Sequence, residues 1–250
     1  INWARIVAQV VYYFTSAVAL GAPVRTVDFT VPTGNFGDIF AGYVAKKMGL
    51  PVRWLRIASN VNDILPRTLK TGIYEVREVH ASASPSMDIQ ISSNFERLLF
   101  EASGRDADSV RRLMGSLKQS GRFVLPDAML AAIREEFDAG RADETETSAA
   151  IRAAWREAGD LVDPHTAVAL AVADRDTSDS KIPNIVLSTA HPAKFPDAVE
   201  AACGVRPQLP AWLDGLMTKS EHITVMKNDS AEVERFVRSV SRAAKQGVAG

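Results

Sequence analysis

The chain has 250 residues, with 29 Lys and Arg against 30 Asp and Glu, which gives a formal net charge of −1 at pH 7. This balance argues against a nucleic-acid-binding or membrane-surface protein, since both need a basic surplus to meet phosphates. One cysteine excludes a disulfide scaffold, and no apolar stretch approaches the roughly 20 residues of a membrane span. We therefore expect a globular protein of a reducing compartment, the cytoplasm.

The opening of the chain alternates helices and strands. Apolar residues spaced three and four apart predict a helix over 4–20, close behind Ile1, with no initiator methionine or polar leader. The sequence then predicts a strand over 26–31, a glycine-rich turn over 32–38, a helix to Gly49 and a strand over 51–58. This alternation is typical of an α/β fold with an open, mostly parallel twisted sheet and helices on both faces. We also expect that the chain begins in mid-structure.

The remainder of the chain is less regular. Turn residues over 60–93 predict a long functional or interface loop with one short strand over 74–79. Predicted helices cover 95–102, 107–119, 126–139 and 145–158, the last with N-cap candidates at 145–148. Asp163-Pro164-His165 opens a helix over 166–173, a strand covers 184–188, and helices over 196–202 and 232–245 follow.

Two domains are expected from this pattern. A large domain covers 1–205, with an insertion at about 60–160, and a C-terminal extension with a peripheral helix covers 206–250.

The turn between the first strand and the second helix is a candidate anion site. Gly34 and Gly37 let the backbone approach a phosphate closely, and Asn35 adds a side-chain donor. Unpaired N–H groups and the positive end of the helix dipole converge there. The turn matches neither the P-loop nor GxGxxG, so an ordinary strand-to-helix turn, with Asp38 as a first-turn acid that complements the dipole, stays an alternative.

A second candidate site follows the late strand. Ser188 and Thr189 place two hydroxyls at its carboxyl end, where open α/β sheets bind ligands, and His191 follows. Closure of the turn before the next helix is the alternative role for these hydroxyls.

Metal and nucleophile chemistry find no support in the sequence. The four histidines lack metal-ligand spacing and there is no second cysteine, so no metal site is predicted. Cys203 is interpreted as a small buried residue, and His165 as a helix-opening residue rather than a base. Arg5 and Lys194, taken alone, are interpreted as solvated side chains.

Five blocks resemble the long-chain subgroup of threonine synthase. In chain order they are INWAR (1–5), PTGNFGD (32–38), SPSMDIQISSNFERLLF (84–100), DPHTAVA (163–169) and STAHPAKF (188–195). The resemblance implies a pyridoxal 5'-phosphate (PLP) enzyme of fold type II, the tryptophan synthase β-subunit class. It implies a lyase of threonine biosynthesis, which converts O-phospho-L-homoserine and water to L-threonine and phosphate. The implied partners are this substrate and the N-terminal part of the same enzyme, which is expected to be a monomer or a homodimer.

The resemblance also assigns roles to particular residues. It implies that the cofactor phosphate is held by Gly34, Asn35, Phe36 and Gly37. It implies that Thr189 meets the pyridine nitrogen of the cofactor and that Arg5 binds the substrate phosphate. Further candidates for the site are Asn2, Asp38, Ser188 and His191. No chemical role is predicted for 84–100.

The catalytic lysine is expected elsewhere. In the family it sits upstream in a Phe-Lys-Asp-type motif, and no lysine in this chain has that context. We therefore predict no catalytic residue in this chain and expect it to be inactive alone. The alternatives are a threonine dehydratase or a phospholyase resembling threonine synthase, and, in a different class, a non-catalytic anion-binding domain.

Overall fold

The structure, a computed structural model, describes residues 2–175 and 181–243. Internal contacts divide the chain into two units, Ile1–Gln208 and Leu209–Gly250. The predicted domain organisation, with its boundary between 205 and 206, stays a prediction. None of the helices within the described residues combines the length and the apolar character that crossing a bilayer requires.

The first unit contains most of the regular structure. Its elements in chain order are α1 (Trp3–Ala19), β1 (Val27–Pro32), α2 (Gly37–Lys47), β2 (Val52–Ser59), α3 (Ile64–Thr71), β3 (Ile73–Glu75), α4 (Phe95–Ala102), α5 (Ala107–Ser120), β4 (Arg122–Val124), α6 (Asp127–Arg134), β5 (Phe137–Arg141), α7 (Glu144–Ala158), α8 (Pro164–Ala173), β6 (Asn184–Val186) and α9 (Pro196–Cys203).

A parallel sheet forms the centre of this unit. Its strand order is β5-β2-β1-β6, and Phe29 of β1 pairs with Leu55 of β2 and Ile185 of β6. Every residue of β1 is buried, as expected for an inner strand that is covered on both faces. The prediction of an α/β fold with a parallel sheet is thereby confirmed.

Helices flank the sheet and close the core. The helix α8 packs against all four strands, whereas α2 packs against β1, β2 and the helix α1. The Tyr13 ring of α1 reaches the Phe29 ring of β1, with 4.7 Å between centroids. A separate antiparallel pair, β3 and β4, joins Tyr74 to Phe123.

The predicted helix over 126–139 is wrong in its second half. The helix α6 ends at Arg134, and Phe137–Arg141 is the edge strand β5, which pairs with β2. Its residues lack the β-branched pattern of a strand, so tertiary packing decides its conformation. At Gly140 a Cβ atom would lie 2.7 Å from the Val172 side chain, so only glycine lets α8 approach this closely.

The region 60–93 is also more ordered than predicted. It contains the helix α3, which buries Ile64, Leu65, Thr68 and Leu69, and the predicted strand over 74–79 is reduced to Ile73–Glu75. Pro66 obscured the helical pattern, although proline is tolerated in a first turn. The strand β4 was not predicted.

Several boundaries differ in smaller ways. The N-cap of α7 is Asp143, which forms a capping box with Glu146, so the cap predicted at 145–148 is wrong. The late strand ends at Val186, which leaves Ser188 in the following loop. Cys203 ends α9 and is only half-buried.

The second unit contains one α-helix within the described residues. The amphipathic helix α10 covers Ser230–Val240 and is capped by Asp229, whose side chain accepts a hydrogen bond from the Glu232 N–H. The predicted helix ran to Lys245, and its last two positions lie outside the described residues.

Candidate active site

A cavity of about 340 Å³ opens where β1 ends. It is lined by the loop that leads into α2, the first turn of α1, and parts of the segments 86–94 and 189–195. Carboxyl ends of parallel strands are the usual ligand sites of such sheets. Of the predicted site residues, the structure brings together here Asn2, Arg5, Gly34, Asn35, Phe36, Gly37, Asp38 and Thr189.

The loop after β1 presents a row of free backbone donors. Across residues 2–175 and 181–243, no acceptor lies within hydrogen-bonding distance of the N–H groups of Asn35, Phe36, Gly37 and Asp38. The last two belong to the first turn of α2, where the helix dipole adds positive potential. These donors fit an anion with several acceptor oxygens.

The side chain of Phe36 anchors this loop. Phe36 has a left-handed backbone, with φ of 64°, which is unfavourable for a residue other than glycine. Its ring is buried between Phe95 and Phe137, at centroid distances of 5.4 and 5.6 Å. Packing of the ring therefore holds the backbone in a conformation that it would otherwise leave.

The segment 84–94 forms the outer wall of the loop. The Ser92 hydroxyl donates to the Gly34 carbonyl at 2.7 Å, and the Asn94 side-chain amide donates to the Asn35 carbonyl at 2.9 Å. A Cβ atom on Gly34 would lie 2.7 Å from the Ser86 carbonyl oxygen, so the wall touches the loop directly. This wall gives the block 84–100 a structural role that the sequence did not reveal.

Two residues at the start of α1 face the same cavity. Asn2 caps the helix, because its side-chain oxygen accepts a hydrogen bond of 2.8 Å from the Ala4 N–H. Arg5 is exposed, and in the described part of the chain no carboxylate or acceptor oxygen reaches its guanidinium. A free guanidinium beside free N–H donors suits a second anionic group.

Asp38 is the acid of the cavity. Burial raises its pKa to about 6, and the neighbouring Tyr13 hydroxyl offsets this rise only in part. The Tyr13 hydroxyl donates its hydrogen to the Asp38 backbone carbonyl at 2.9 Å. Among the described residues, Oδ1 of Asp38 is buried without a hydrogen-bond partner, so its negative charge is poorly compensated.

Comparisons with known proteins show which family this chain resembles. The family model described as "Threonine synthase, C-terminal" matches residues 166–237. The threonine synthase of Pseudomonas aeruginosa is 48% identical over 95% of this chain. The solved structure of PLP-bound threonine synthase from Brucella melitensis is 62% identical over 97% of this chain, with a TM-score of 0.89. The chain is therefore similar to threonine synthases, and the family model that it matches describes their C-terminal part.

The match to the threonine synthases covers only part of the relatives. The chain spans about half of their length, namely 51% of the Pseudomonas aeruginosa protein and 52% of the Brucella melitensis chain. The structure of the yeast threonine synthase gives the same result, with 39% identity, a TM-score of 0.85 and 52% of that chain covered.

The Asp163 and His165 pair is a part of this cavity region that sequence reasoning missed. His165 opens α8 as predicted, but it also lines the cavity, and its Nδ1 lies 2.8 Å from Oδ1 of Asp163. Its Nε2 accepts a hydrogen bond of 3.2 Å from the Ser86 N–H. Burial raises the pKa of Asp163, but hydrogen bonds from His165 and Thr166 outweigh this and hold it below its usual value. The pair thus ties α8 to the wall.

The residues after β6 divide between cavity and surface. Thr189 lines the cavity, as does Lys194, whose ammonium lies 5.9 Å from the centre of the Phe195 ring. Ser188 and His191 are not among the described residues that line it. His191 instead caps a short turn of helix, with its Nδ1 accepting a hydrogen bond from the Ala193 N–H at 3.2 Å. Within the described residues, no three His, Cys, Asp or Glu side chains form a group suited to a metal ion.

Proposed function

We propose that the protein containing this chain is a threonine synthase, which uses PLP to convert O-phospho-L-homoserine and water to L-threonine and phosphate. The observation that carries the proposal is the row of N–H groups at 35–38, which shares one cavity with the guanidinium of Arg5 and, like it, has no partner among the described residues. Two anion sites in one cavity match a reaction in which both cofactor and substrate carry a phosphate.

The cofactor phosphate belongs at the loop after β1. The free N–H groups of Asn35, Phe36 and Gly37 supply donors, and Gly34 lets the wall approach without a side chain between them. The Brucella melitensis relative was solved with PLP bound, which supports this choice of anion.

The other roles follow from the positions of Thr189 and Arg5. Thr189 is exposed towards the cavity, so its hydroxyl is available to the pyridine nitrogen, and a neutral partner leaves that nitrogen largely unprotonated. Arg5 binds the phosphate of the substrate through its fixed guanidinium fork. Asn2, which caps α1, orients the helix turn that carries Arg5.

When bound, PLP supplies the electron sink for the carbanion chemistry at the substrate. This chain positions the cofactor and the substrate phosphate. We place the lysine that bonds to the cofactor in the part of the protein outside this chain, and expect the chain alone to be inactive. The N-terminal part of the same enzyme is the partner that completes the site, and the protein acts in the cytoplasm as a monomer or a homodimer.

The experiment uses the full-length protein that contains this chain. Arg5→Ala is expected to lower kcat/KM for phosphate release from O-phospho-L-homoserine by about 30-fold or more, that is by about 2 kcal/mol. Arg5→Lys should recover only part of this, because an ammonium lacks the bidentate fork. Arg25→Ala, which removes an exposed arginine outside the cavity lining, should leave kcat/KM unchanged.

Other substrates separate the alternatives. Ammonia release from L-threonine without turnover of O-phospho-L-homoserine would identify a dehydratase. Phosphate binding without turnover of either compound would identify a non-catalytic anion-binding domain.

A further inference from the structure

Two side chains of the wall capture two consecutive carbonyls of the anion loop. The Gly34 carbonyl accepts from the Ser92 hydroxyl, and the Asn35 carbonyl accepts from both the side-chain amide and the backbone N–H of Asn94, at 2.9 and 3.0 Å. Ser92 and Asn94 are both buried. Their donors are therefore directed at the loop rather than at water.

Capture of a carbonyl fixes the N–H group on the other side of the same peptide. In a trans peptide the C=O and N–H bonds point in opposite directions. Because the Gly34 carbonyl faces Ser92, the Asn35 N–H faces away from the wall. Because the Asn35 carbonyl faces Asn94, the Phe36 N–H does the same. These are two of the four N–H groups that have no acceptor within the described residues.

The orientation of the Asn94 amide is itself determined. Nε of Arg97 donates to Oδ1 of Asn94 at 3.0 Å, and a guanidinium has no acceptor to offer. The oxygen of the amide must therefore face Arg97, and its NH₂ group must face the Asn35 carbonyl. Arg97 in turn lies over the Trp3 ring, 5.7 Å from its centre.

We infer that Ser92 and Asn94 are positioning residues of the phosphate site, which hold the Gly34 and Asn35 peptides with their N–H groups towards the anion. This inference rests on the proposed function only in identifying the anion as the cofactor phosphate. Without the Ser92 hydroxyl, the freed Gly34 carbonyl can rotate towards the anion, where its lone pairs repel the phosphate oxygens. Without the Asn94 amide, the Asn35 carbonyl keeps only the backbone N–H of Asn94 and is held less firmly.

Three variants of the full-length protein test this inference, namely Ser92→Ala, Asn94→Ala and Asn94→Asp. Each is expected to weaken binding of inorganic phosphate, followed by ³¹P NMR, by about tenfold. PLP binding should weaken by a similar factor, whereas binding of pyridoxal, which lacks the phosphate, should change by less than about twofold. Ser92→Thr keeps a hydroxyl and should keep the affinity.

Thr68→Val is the matched control. Thr68 is buried, and its hydroxyl donates to the Ile64 carbonyl at 2.7 Å, so the variant removes the same kind of hydrogen bond away from the loop. It should leave phosphate affinity unchanged. If Asn94→Ala does not fold, the smaller change Ser92→Ala decides the question.

The possible results are distinct. Unchanged phosphate affinity in Ser92→Ala and Asn94→Asp, or an equal loss of PLP and pyridoxal affinity, overturns the inference. The wild-type protein could also bind phosphate but neither bind PLP nor turn over the substrate. Loss of phosphate affinity in the variants would then support the inference, whereas the missing PLP binding and turnover would contradict the proposed function. A wild-type protein that binds neither phosphate nor PLP overturns both.

Discussion

The loops after β1 and β6 both reach the cavity, but the chain holds them differently. The β1 loop is enclosed: Phe36 is anchored between rings, and side chains of the wall bond the carbonyls of Gly34 and Asn35. In the β6 loop, Ser188 and Thr189 are exposed, and β6 is an edge strand of the described sheet. This chain therefore holds the side of the cavity that carries the free N–H groups rigidly and leaves the side that carries Thr189 open.

The difference shows which part of the site this chain organises alone. Preorganised N–H groups bind an anion without a cost of ordering at the moment of binding. A hydroxyl on an exposed loop acquires its fixed position only when further groups pack against it. We expect substitutions in the β1 loop to affect both stability and binding, and those in the β6 loop to affect binding alone.

Gly34→Ala should give the largest effect on stability. Its Cβ would lie 2.7 Å from the Ser86 carbonyl oxygen, and neither backbone can move without breaking the wall. We expect the free energy of unfolding, from urea titration, to fall by about 2–3 kcal/mol, together with a loss of phosphate affinity.

Gly115→Ala provides the control for Gly34→Ala. Gly115 lies within α5, and apart from the backbone of its own helix and its chain neighbours, no atom of the described residues lies within 4 Å of the position that an alanine Cβ would take there. This variant should gain about 0.5–1 kcal/mol because alanine favours a helix. Equal stability of the two alanine variants would show that the wall is not in contact with the loop.

The enclosed loop was predictable from sequence in outline only. Glycines at Gly34 and Gly37 between a strand and a helix indicated free N–H groups, because this depends on local backbone geometry. The wall was not predictable, since Ser92 lies 58 residues from Gly34 in sequence and its contact arises from tertiary packing. His165 was missed for the same reason, because its partner Ser86 lies 79 residues away.

The fold shows the same division between local and distant causes. Helices such as α4, with its strong apolar periodicity, were predicted to the residue. The first three residues of β5 were predicted as helix, because the sequence of this strand gives no strand pattern and its place beside β2 depends on Gly140 fitting under Val172. Periodicity reports which face of an element is buried, and not which neighbour buries it.

Asp38→Asn should have an intermediate effect that depends on pH. The folded pKa of Asp38, about 6, lies above its ordinary value of 3.8. As pH rises from about 4 to 6, the unfolded chain loses this proton before the folded one, so the wild-type protein loses stability over this window. We expect Asp38→Asn to be more stable than wild type by about 1–2 kcal/mol at pH 7.5 and to show no such gain at pH 4.

Asp38→Asn also tests how the charge in the β1 loop affects anion binding. Removal of the negative charge should tighten phosphate binding at pH 7.5 more than at pH 5. Asp127→Asn, which alters an exposed first-turn aspartate of α6, is the control and should show neither effect. A gain in stability that is equal at pH 4 and pH 7.5 would contradict the role of the Asp38 charge.

Thr189→Val should have the smallest effect on stability and test the open loop directly. Thr189 is exposed, so the free energy of unfolding should change by less than about 0.5 kcal/mol. In the full-length protein with PLP, the visible absorption band should nevertheless shift, because the proposed function places this hydroxyl at the ring nitrogen. Thr189→Ser keeps the hydroxyl and should keep the band. A stability loss in Thr189→Val like that of Gly34→Ala would show that the β6 loop is as firmly packed as the β1 loop. An unshifted band in Thr189→Val would contradict the contact of Thr189 with the ring nitrogen.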